Sequence, residues 1–551
     1  MKQNYLLLCL MMFLFCEWGQ GQVIGLTLHT PQSYNGYTLF CPSGSRITYL
    51  IDNCGKLVHT WESDYLPGQS VYLLENGHLL RTCRIGSNFN AGGSGGRLEL
   101  YSWEGELLWS YNYSSDNYHH HHDIEPLPNG NILLIAWDLK TAEEVEPLGR
   151  WNANADLWAE RVIEIEPVGT DQINVVWEWY LWDHLIQDAD INKENYGIVE
   201  DHPELVDINA GNNENGGGPG SGSDWIHLNS ISYDPIHDRI ILSSRNLSEI
   251  WVIDHSTSTQ EAAGHTGGNS GRGGDLLFRW GNPRFYDRGT LEDQILFGQH
   301  DAKFIEEGLE DEGKIIMFNN GQGRPDGNYS SIEIIDPPYD INDEFVIIGE
   351  QAFGPIDSDW IFTNDPPDAF YSSRISGAQR LPNGNTLICE GINGRFFEID
   401  YFGNLVWEYV SPIINGNPAE QGTIVTSNAV FRAVRYSEDY AAFEGKTLIA
   451  GDPIELNPIM YDCDMVSSIW NPIQEDIKVQ TLFSETLQLN KASLDSYAIE
   501  IFNPRGQCLW QGLFDESQML VHTSTWPKGF YIVKINGLDR KNFISIKTIK
   551  P

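Results

Sequence analysis

A phrase of four short apolar runs, each closed by Gly, Asn or Pro, recurs along this chain and leaves it few ways to fold. The clearest copy begins at Ser376-Gly377-Ala378-Gln379-Arg380-Leu381, turns at Pro382-Asn383-Gly384 and returns through residues 385–389. Residues 395–400 (RFFEID) follow, then the turn Phe402-Gly403-Asn404 and the run Leu405-Val406-Trp407-Glu408-Tyr409. Such runs between tight-turn residues predict antiparallel strands joined by hairpins. One four-stranded sheet cannot bury both faces by itself, so repeated copies must stack face to face about an axis.

Counting either end of the phrase gives the same number. The outermost run recurs at 55–61 (GKLVHTW), 105–111 (GELLWSY), 173–179 (INVVWEW), 274–280 (GDLLFRW), 344–350 (EFVIIGE) and 403–409 (GNLVWEY), six copies. Innermost runs begin near Gln69, His122, His227, His300 and Ser376, with a sixth at 431–436 (FRAVRY). The chain opens on outer runs (47–52 and 56–61) and closes on inner ones (431–436 and 446–450). The expectation is an all-β fold: a six-bladed β-propeller over residues 46–453, its closing blade built from both ends, preceded by lead-in strands at 23–45. An array of β-sandwiches is the competing arrangement, and the alternation of the two run types speaks against it. Residues 181–224 and 355–371 interrupt the spacing with Gly-, Pro- and acid-rich loops, of the kind that cap sites on rigid scaffolds. Beyond residue 453 the phrase stops, and 477–551 reads as a separate small β-sandwich.

With 77 acidic against 34 basic residues the 551-residue chain carries a net charge of −43. That disfavours nucleic acid and anionic membrane as partners. Residues 1–22 have the layout of an export leader: Lys2, the apolar run 5–16, and small Gly19 and Gly21 before a cleavage point near Gln22. A secreted or cell-surface protein, exported through the periplasm, is the expectation. No later run approaches the roughly 20 apolar residues of a membrane-spanning helix. Of the cysteines outside the leader, Cys41 and Cys54 flank one hairpin and suggest a disulfide. Cys83, Cys389, Cys463 and Cys508 form neither a Cys-x-x-Cys pair nor a zinc pattern.

Strand direction places the chemistry. The start of an innermost strand and the end of the second strand meet at one mouth of the axial channel. His122, His227 and His300 belong there, as do Arg84, Arg245, Arg324 and Arg395. Clustered like charges are costly unless an anion fills the space between them. Arginine forks also match tetrahedral oxyanions. The mouth therefore reads as a site for sulfate or phosphate esters, with histidine as acid, base or nucleophile. Within His119-His120-His121-His122, strand alternation puts His120 and His122 on one face and His119 and His121 on the other. Three imidazoles also suit zinc or copper, but no carboxylate or thiolate pattern accompanies them, so neither metal nor cofactor is expected.

Two resemblances follow. Tyr497-x-Ile499-x-Ile501, Gly506, Gly529-Phe530-Tyr531-Ile532-Val533 and Lys547-Thr548-Ile549-Lys550 resemble the C-terminal sorting domain of the type IX secretion system, although its opening Pro-Asn-Pro is absent. Asp224-Trp225-Ile226-His227-x-Asn229-Ser230, Ser244-Arg245, Arg279-Trp280-Gly281, Gln299-His300-Asp301 and Asn319-Asn320-Gly321-Gln322-Gly323-Arg324 resemble bacterial arylsulfate sulfotransferases. This second resemblance implies a secreted six-bladed propeller that moves a sulfuryl group from a phenolic ester to another phenol without a nucleotide cofactor. It further implies that His227, His300 and Arg324 bind and polarise the sulfate. The family's nucleophilic histidine falls on or beside Arg395 here. Transfer must then use His122, His227 or His300 covalently, or pass directly between donor and acceptor with Arg395 as a further clamp. Arg84, Arg245 and His122 would bind substrate. Hydrolysis of the ester, and a catalytically silent propeller that binds sulfated polysaccharide or a surface partner, are the rival readings.

Overall fold

Tryptophan at the outer edge of each sheet organises the architecture. In the computed structural model, which describes residues 23–212, 222–459, 463, 477–479, 485–491, 496–503, 507–537 and 543–550, outer-strand indoles reach across to the next sheet. Trp61 Nε1 donates to the Ser102 carbonyl at 3.0 Å, Trp109 to Gln172 at 2.9 Å, Trp179 to Gly274 at 2.7 Å, Trp280 to Pro355 at 2.7 Å and Trp407 to Asn53 at 2.8 Å. Each buries an aromatic plate between two sheets while keeping its one polar atom bonded. Residues 1–22, expected to be an export leader, residues 213–221 of the Gly-rich insertion and Gly506 lie outside the described residues.

Two compact units make up the chain, one drawn from residues 1–27, 34–398 and 407–460, the other from 28–33, 399–406 and 461–551. The first is all-β, with six antiparallel sheets and a short parallel pair, Leu185–Ile186 with Val206–Asp207. Sheet I runs Pro67–Leu73, Leu79–Arg84, Gly96–Tyr101 and Leu107–Asn112. Sheet II runs Tyr118–Pro126, Ile132–Lys140, Leu157–Val168 and Gln172–Tyr180. In sheet III the order is Leu228–Asp234, Arg239–Ser244, Glu249–Asp254 and Phe278–Trp280, and in sheet IV His300–Phe304, Ile315–Asn319, Ser331–Ile335 and Trp360–Phe362. Sheet V includes Gly377–Arg380, Thr386–Glu390 and Arg395–Ile399. Sheet VI joins the two ends of the repeat: Val430–Ser437, Gly36–Pro42, Ile47–Ile51 and Leu57–Glu62. Middle strands such as Arg239–Ser244 and Glu249–Asp254 are buried at every position, as sheets covered on both faces require. Outer strands such as Gln172–Tyr180 are half exposed.

Three sequence expectations change. The second strand of sheet VI is Gly36–Pro42, paired antiparallel with Val430–Ser437 through Thr38↔Arg435 and Phe40↔Ala433; residues 446–450 form no strand. The run GYTLFCP is almost wholly buried and outcompetes the shorter, half-exposed KTLIA. Residues 344–350 are likewise not the outer strand of sheet IV, a role taken by Trp360–Phe362. That run is the one copy without a tryptophan, and the Tyr339↔Phe345 bridge folds it back on itself. Cys41 is a buried free thiol, so no Cys41–Cys54 bridge forms.

A buried ionic knot ties the innermost strands together. Arg432 of sheet VI donates from Nη2 to Asp123 of sheet II at 2.7 Å, and its Nε lies 2.8 Å from Asp301 of sheet IV. Asp123 also accepts from Tyr72 of sheet I at 3.0 Å and from the Ile231 N–H of sheet III at 3.4 Å. Asp301 accepts from the Ala378 N–H of sheet V at 2.9 Å and pairs with Lys303 at 3.0 Å. Two cations thus balance two anions. Burial opposes the Arg432 charge, but Asp123 and Asp301 more than reverse it and raise the guanidinium's hold on its proton.

The second unit pairs a sheet of Ile477–Val479, Thr486–Lys491 and Gln518–His522 with one of Cys508–Phe514, Tyr497–Phe502, Gly529–Gly537 and Phe543–Lys550. Tyr497, Ile499 and Ile501 alternate into a core with Leu487, Leu489, Val533 and Ile535.

Arg432→Met leaves two carboxylates buried without their shared partner. It is expected to lower the unfolding free energy by about 3–5 kcal/mol, read from the urea midpoint; a change under about 1 kcal/mol would show that the knot does not hold the sheets.

Candidate functional site

In sheets I to V the innermost strand leaves extended geometry near its start or, in sheet II, at its fifth residue. Gln69 (φ 124°), His122 (54°), His227 (55°), Asp301 (55°), Ile375 (49°) and Ser376 (92°) all have positive φ. Such residues cost on the order of 1–3 kcal/mol each and persist only where their surroundings impose them. Register shifts sit beside them, between Pro67 and Val71, Leu228 and Ser230, and His300 and Lys303. The kink also breaks simple alternation. His121 and His122 do not face apart; their Nδ1 atoms meet at 2.8 Å.

These kinks open onto a cavity of about 530 Å³ lined by Gln69, Arg84, Ala91, Gly92, Gly93, Ser94, His122, His227, Arg245, His300, Arg374 and Ile375. It gathers five of the predicted residues: Arg84, Arg245, His122, His227 and His300. No Asp or Glu lines it. Among the described residues no carboxylate makes an ion pair with Arg84, Arg245 or Arg374. Arg245 is held only by neutral oxygens, Asn246 Oδ1 at 3.2 Å and Gln322 Oε1 at 3.0 Å. Burial, and to a lesser degree the Arg374 charge, lower its pKa against the opposing pull of Asp224. Gly93 is required here, because a Cβ on it would fall 1.9 Å from the His122 ring.

The three histidines have different wiring. His227 Nδ1 faces Asp224 Oδ2 at 2.5 Å, and Trp137 Nε1 holds the other Asp224 oxygen at 3.0 Å. This dyad fixes the proton on Nδ1 and leaves Nε2 as the base. His122, its ring centroid 4.6 Å from that of His227, ends a buried relay. Glu160 Oε2 lies 2.9 Å from His121 Nε2, and His121 passes the contact on to His122. Burial raises the Glu160 pKa well above the carboxylate range and lowers both histidines well below theirs. A proton on Glu160 would be donated to His121 Nε2 and one on His121 Nδ1 to His122 Nδ1, an order that leaves the remaining His122 proton on Nε2. His300 has neither freedom: Nδ1 donates to Asn320 Oδ1 at 2.7 Å and to the Gly298 carbonyl at 3.1 Å, while Nε2 accepts the Ile375 N–H at 3.1 Å.

Arg324 and Arg395 do not line the cavity. Arg324 donates to Ser331 at 2.6 Å and pairs with Glu333 at 3.5 Å. Arg395 bonds Glu408 at 2.6 Å and Glu390 at 3.1 Å and stacks on Phe397. Local carboxylates thus take up both charges. Arg374, which sequence reasoning missed, stands two residues before Ser376, the position at which other copies carry histidine. Asp224 could be suspected from its spacing to His227. Asn320 lies inside the Asn319–Arg324 motif of the family resemblance but was given no role, and nothing in the sequence marks Glu160.

A family model described as arylsulfotransferase (ASST) matches residues 34–411. No curated protein matches the chain. Among solved structures, it is similar to a protein of unknown function from Bacteroides caccae (11% identity, 74% of this chain, 100% of that chain, TM-score 0.39). It is also similar to a streptogramin B lyase (11%, 72% and 84%, TM-score 0.33) and to the periplasmic gluconolactonase PpgL of Pseudomonas aeruginosa (10%, 88% and 99%, TM-score 0.32). Similarities at this distance carry no functional argument.

Burial holds His300 and His120 neutral down to about 3 and His119 to about 4, against 6.5 for a free imidazole. Between pH 6.5 and about 3 these three rings therefore bind more protons in the unfolded chain than in the folded one. Their contribution to stability is complete above pH 6.5 and falls as pH drops through that window. In an NMR titration the His300 ring is expected to stay neutral from pH 7 to pH 5; titration near 6.5 would contradict the burial described here.

Proposed function

We propose, from the premise that this chain belongs to the arylsulfotransferase family, that the cavity transfers a sulfuryl group from a phenolic sulfate ester to an acceptor phenol. One observation carries the reading: in a protein of net charge −43, three arginines and three histidines meet around one cavity with no acidic residue in its lining. An anion is the complement of such a lining, and bidentate guanidinium contacts suit the three peripheral oxygens of a sulfuryl group.

The wiring assigns roles. Arg245 grips the sulfate from within, and exposed Arg84 and Arg374 close on it from the rim. His300, tied at both nitrogens, is a positioning residue that holds the Ile375 segment against the cavity. His227 Nε2 takes the proton of the acceptor phenol, and Asp224 stabilises the resulting imidazolium. The acceptor oxygen forms its bond to sulfur as the bond from sulfur to the donor oxygen breaks. His122 Nε2–H protonates the departing phenolate, and His121 and Glu160 replace that proton. Over a turnover the proton gained by His227 equals the one supplied through His122. Direct transfer of this kind needs no covalent sulfohistidine, in keeping with Arg395, and not a histidine, standing at or beside the family's nucleophile position.

The same proposal includes the finer architecture and the route of export. Sheets I–VI form a closed six-bladed propeller, a reading supported by the packing of Val430–Ser437 against Pro67–Leu73. The leader at 1–22 and the type IX-like domain at 477–551 support secretion to the cell surface through that machinery.

The test is 4-nitrophenyl sulfate with and without phenol. Phenol-dependent release of 4-nitrophenol is expected, with His227→Ala lowering kcat by about 10²–10⁴-fold, Arg245→Ala close behind, and Arg395→Ala retaining activity. Release that ignores phenol would mean hydrolysis. Tight binding of sulfated ligands without release would mean a binding module.

A further inference from the structure

Away from that cavity, two imidazoles converge on one carboxylate oxygen. His184 Nδ1 and His265 Nδ1 each lie 2.8 Å from Asp275 Oδ1. His184 is completely buried and stacks flat on Trp179, with ring centroids 5.6 Å apart at 5°. Its second nitrogen, Nε2, sits 2.8 Å from the Ala262 carbonyl. A carbonyl oxygen can only accept, so the His184 proton belongs on Nε2. A neutral His184 then aims the bare lone pair of Nδ1 at the lone pairs of a carboxylate, which is repulsive unless a cation stands between them.

We propose that His184, His265 and Asp275 bind a divalent transition-metal ion of the zinc type. Their three ligand atoms lie within 4.8 Å of one another. A zinc ion sits about 2.0–2.2 Å from imidazole nitrogen and carboxylate oxygen, so the two 2.8 Å contacts need open by only about half an ångström to admit it. The backbone carbonyl that fixes the free ring nitrogen is the usual outer support of a metal-bound histidine. The His265 side chain is 61% exposed, which leaves an approach for the ion and room for water in the remaining coordination position. Asp183 lies within electrostatic range of both imidazoles and adds negative charge.

The ligands come from separate stretches of chain. His184 follows the outer strand of sheet II, whereas His265 and Asp275 belong to the loop that precedes Phe278–Trp280 of sheet III. Trp179 Nε1 already bonds the Gly274 carbonyl at this join. An ion here would clamp the two sheets at their outer edge. It takes no part in sulfuryl transfer.

The full chain, stripped with chelator and dialysed, would be titrated calorimetrically with zinc alone and, in parallel, with cobalt(II). The expected result is a saturable site that His265→Ala weakens at least about tenfold, and a cobalt complex whose visible absorption that variant loses. His265 is exposed, so this variant should fold; circular dichroism checks that it does. Asp275→Asn, also folded, should lose the same site. Zinc binding that is absent, or unchanged in both variants, would overturn the proposal and leave a buried imidazolium–carboxylate pair in its place.

Discussion

The ion pairs of Arg432 with Asp123 and Asp301 are the constraint on which the rest of the larger unit depends. Buried charges are tolerated only when paired and hydrogen-bonded, and here the partners come from all of sheets I–VI. The knot also sets the site. Asp123 follows His122 and Asp301 follows His300, and at each His–Asp step one residue has positive φ, 54° at His122 and 55° at Asp301. The kinked step sends the carboxylate to the knot and the imidazole to the cavity. Core electrostatics and site geometry are thus written in the same dipeptides.

Electrostatic contrast then selects the ligand. Several other buried arginines of this acidic chain are neutralised, Arg279 by Glu249 at 2.6 Å, Arg380 by Asp311 at 2.7 Å and Arg435 by Glu398 at 3.4 Å, whereas buried Arg81 is held by the Arg46 and Tyr65 carbonyls. What sets the cavity apart is that three arginines share one lining that holds no acidic residue. Arg245 marks it best, being largely buried yet bonded only to amide oxygens. On the proposed function the histidines divide the chemistry between a dyad, a relay and a positioning group, roles assigned from their hydrogen bonds more than from their identity.

Much of this was legible in the sequence because it rests on local pattern. The hairpin phrase matches the strand order within the sheets, and His122, His227, His300, Arg84 and Arg245, which strand direction brings together, line one cavity. Pairing decided by long-range competition was not legible. Gly36–Pro42 displaces residues 446–450 because it buries more apolar surface beside Val430–Ser437, and no local signal records that contest. Arg324 and Arg395 sit at plausible positions, yet Glu333, Glu390 and Glu408 reach them first. The His121–His122 contact depends on a kink that strict alternation forbids. The tryptophan missing from residues 344–350 was a usable warning, since the indole bond to the next sheet recurs along the outer strands.

Equilibrium binding of 4-nitrophenyl sulfate against 4-nitrophenol, which keeps the ring and lacks the sulfuryl group, tests the central claim most directly. The account predicts that the ester binds at least about tenfold more tightly and that Arg245→Ala removes the difference. Equal binding of the two, or a preference for the ester that survives in Arg245→Ala, would contradict it.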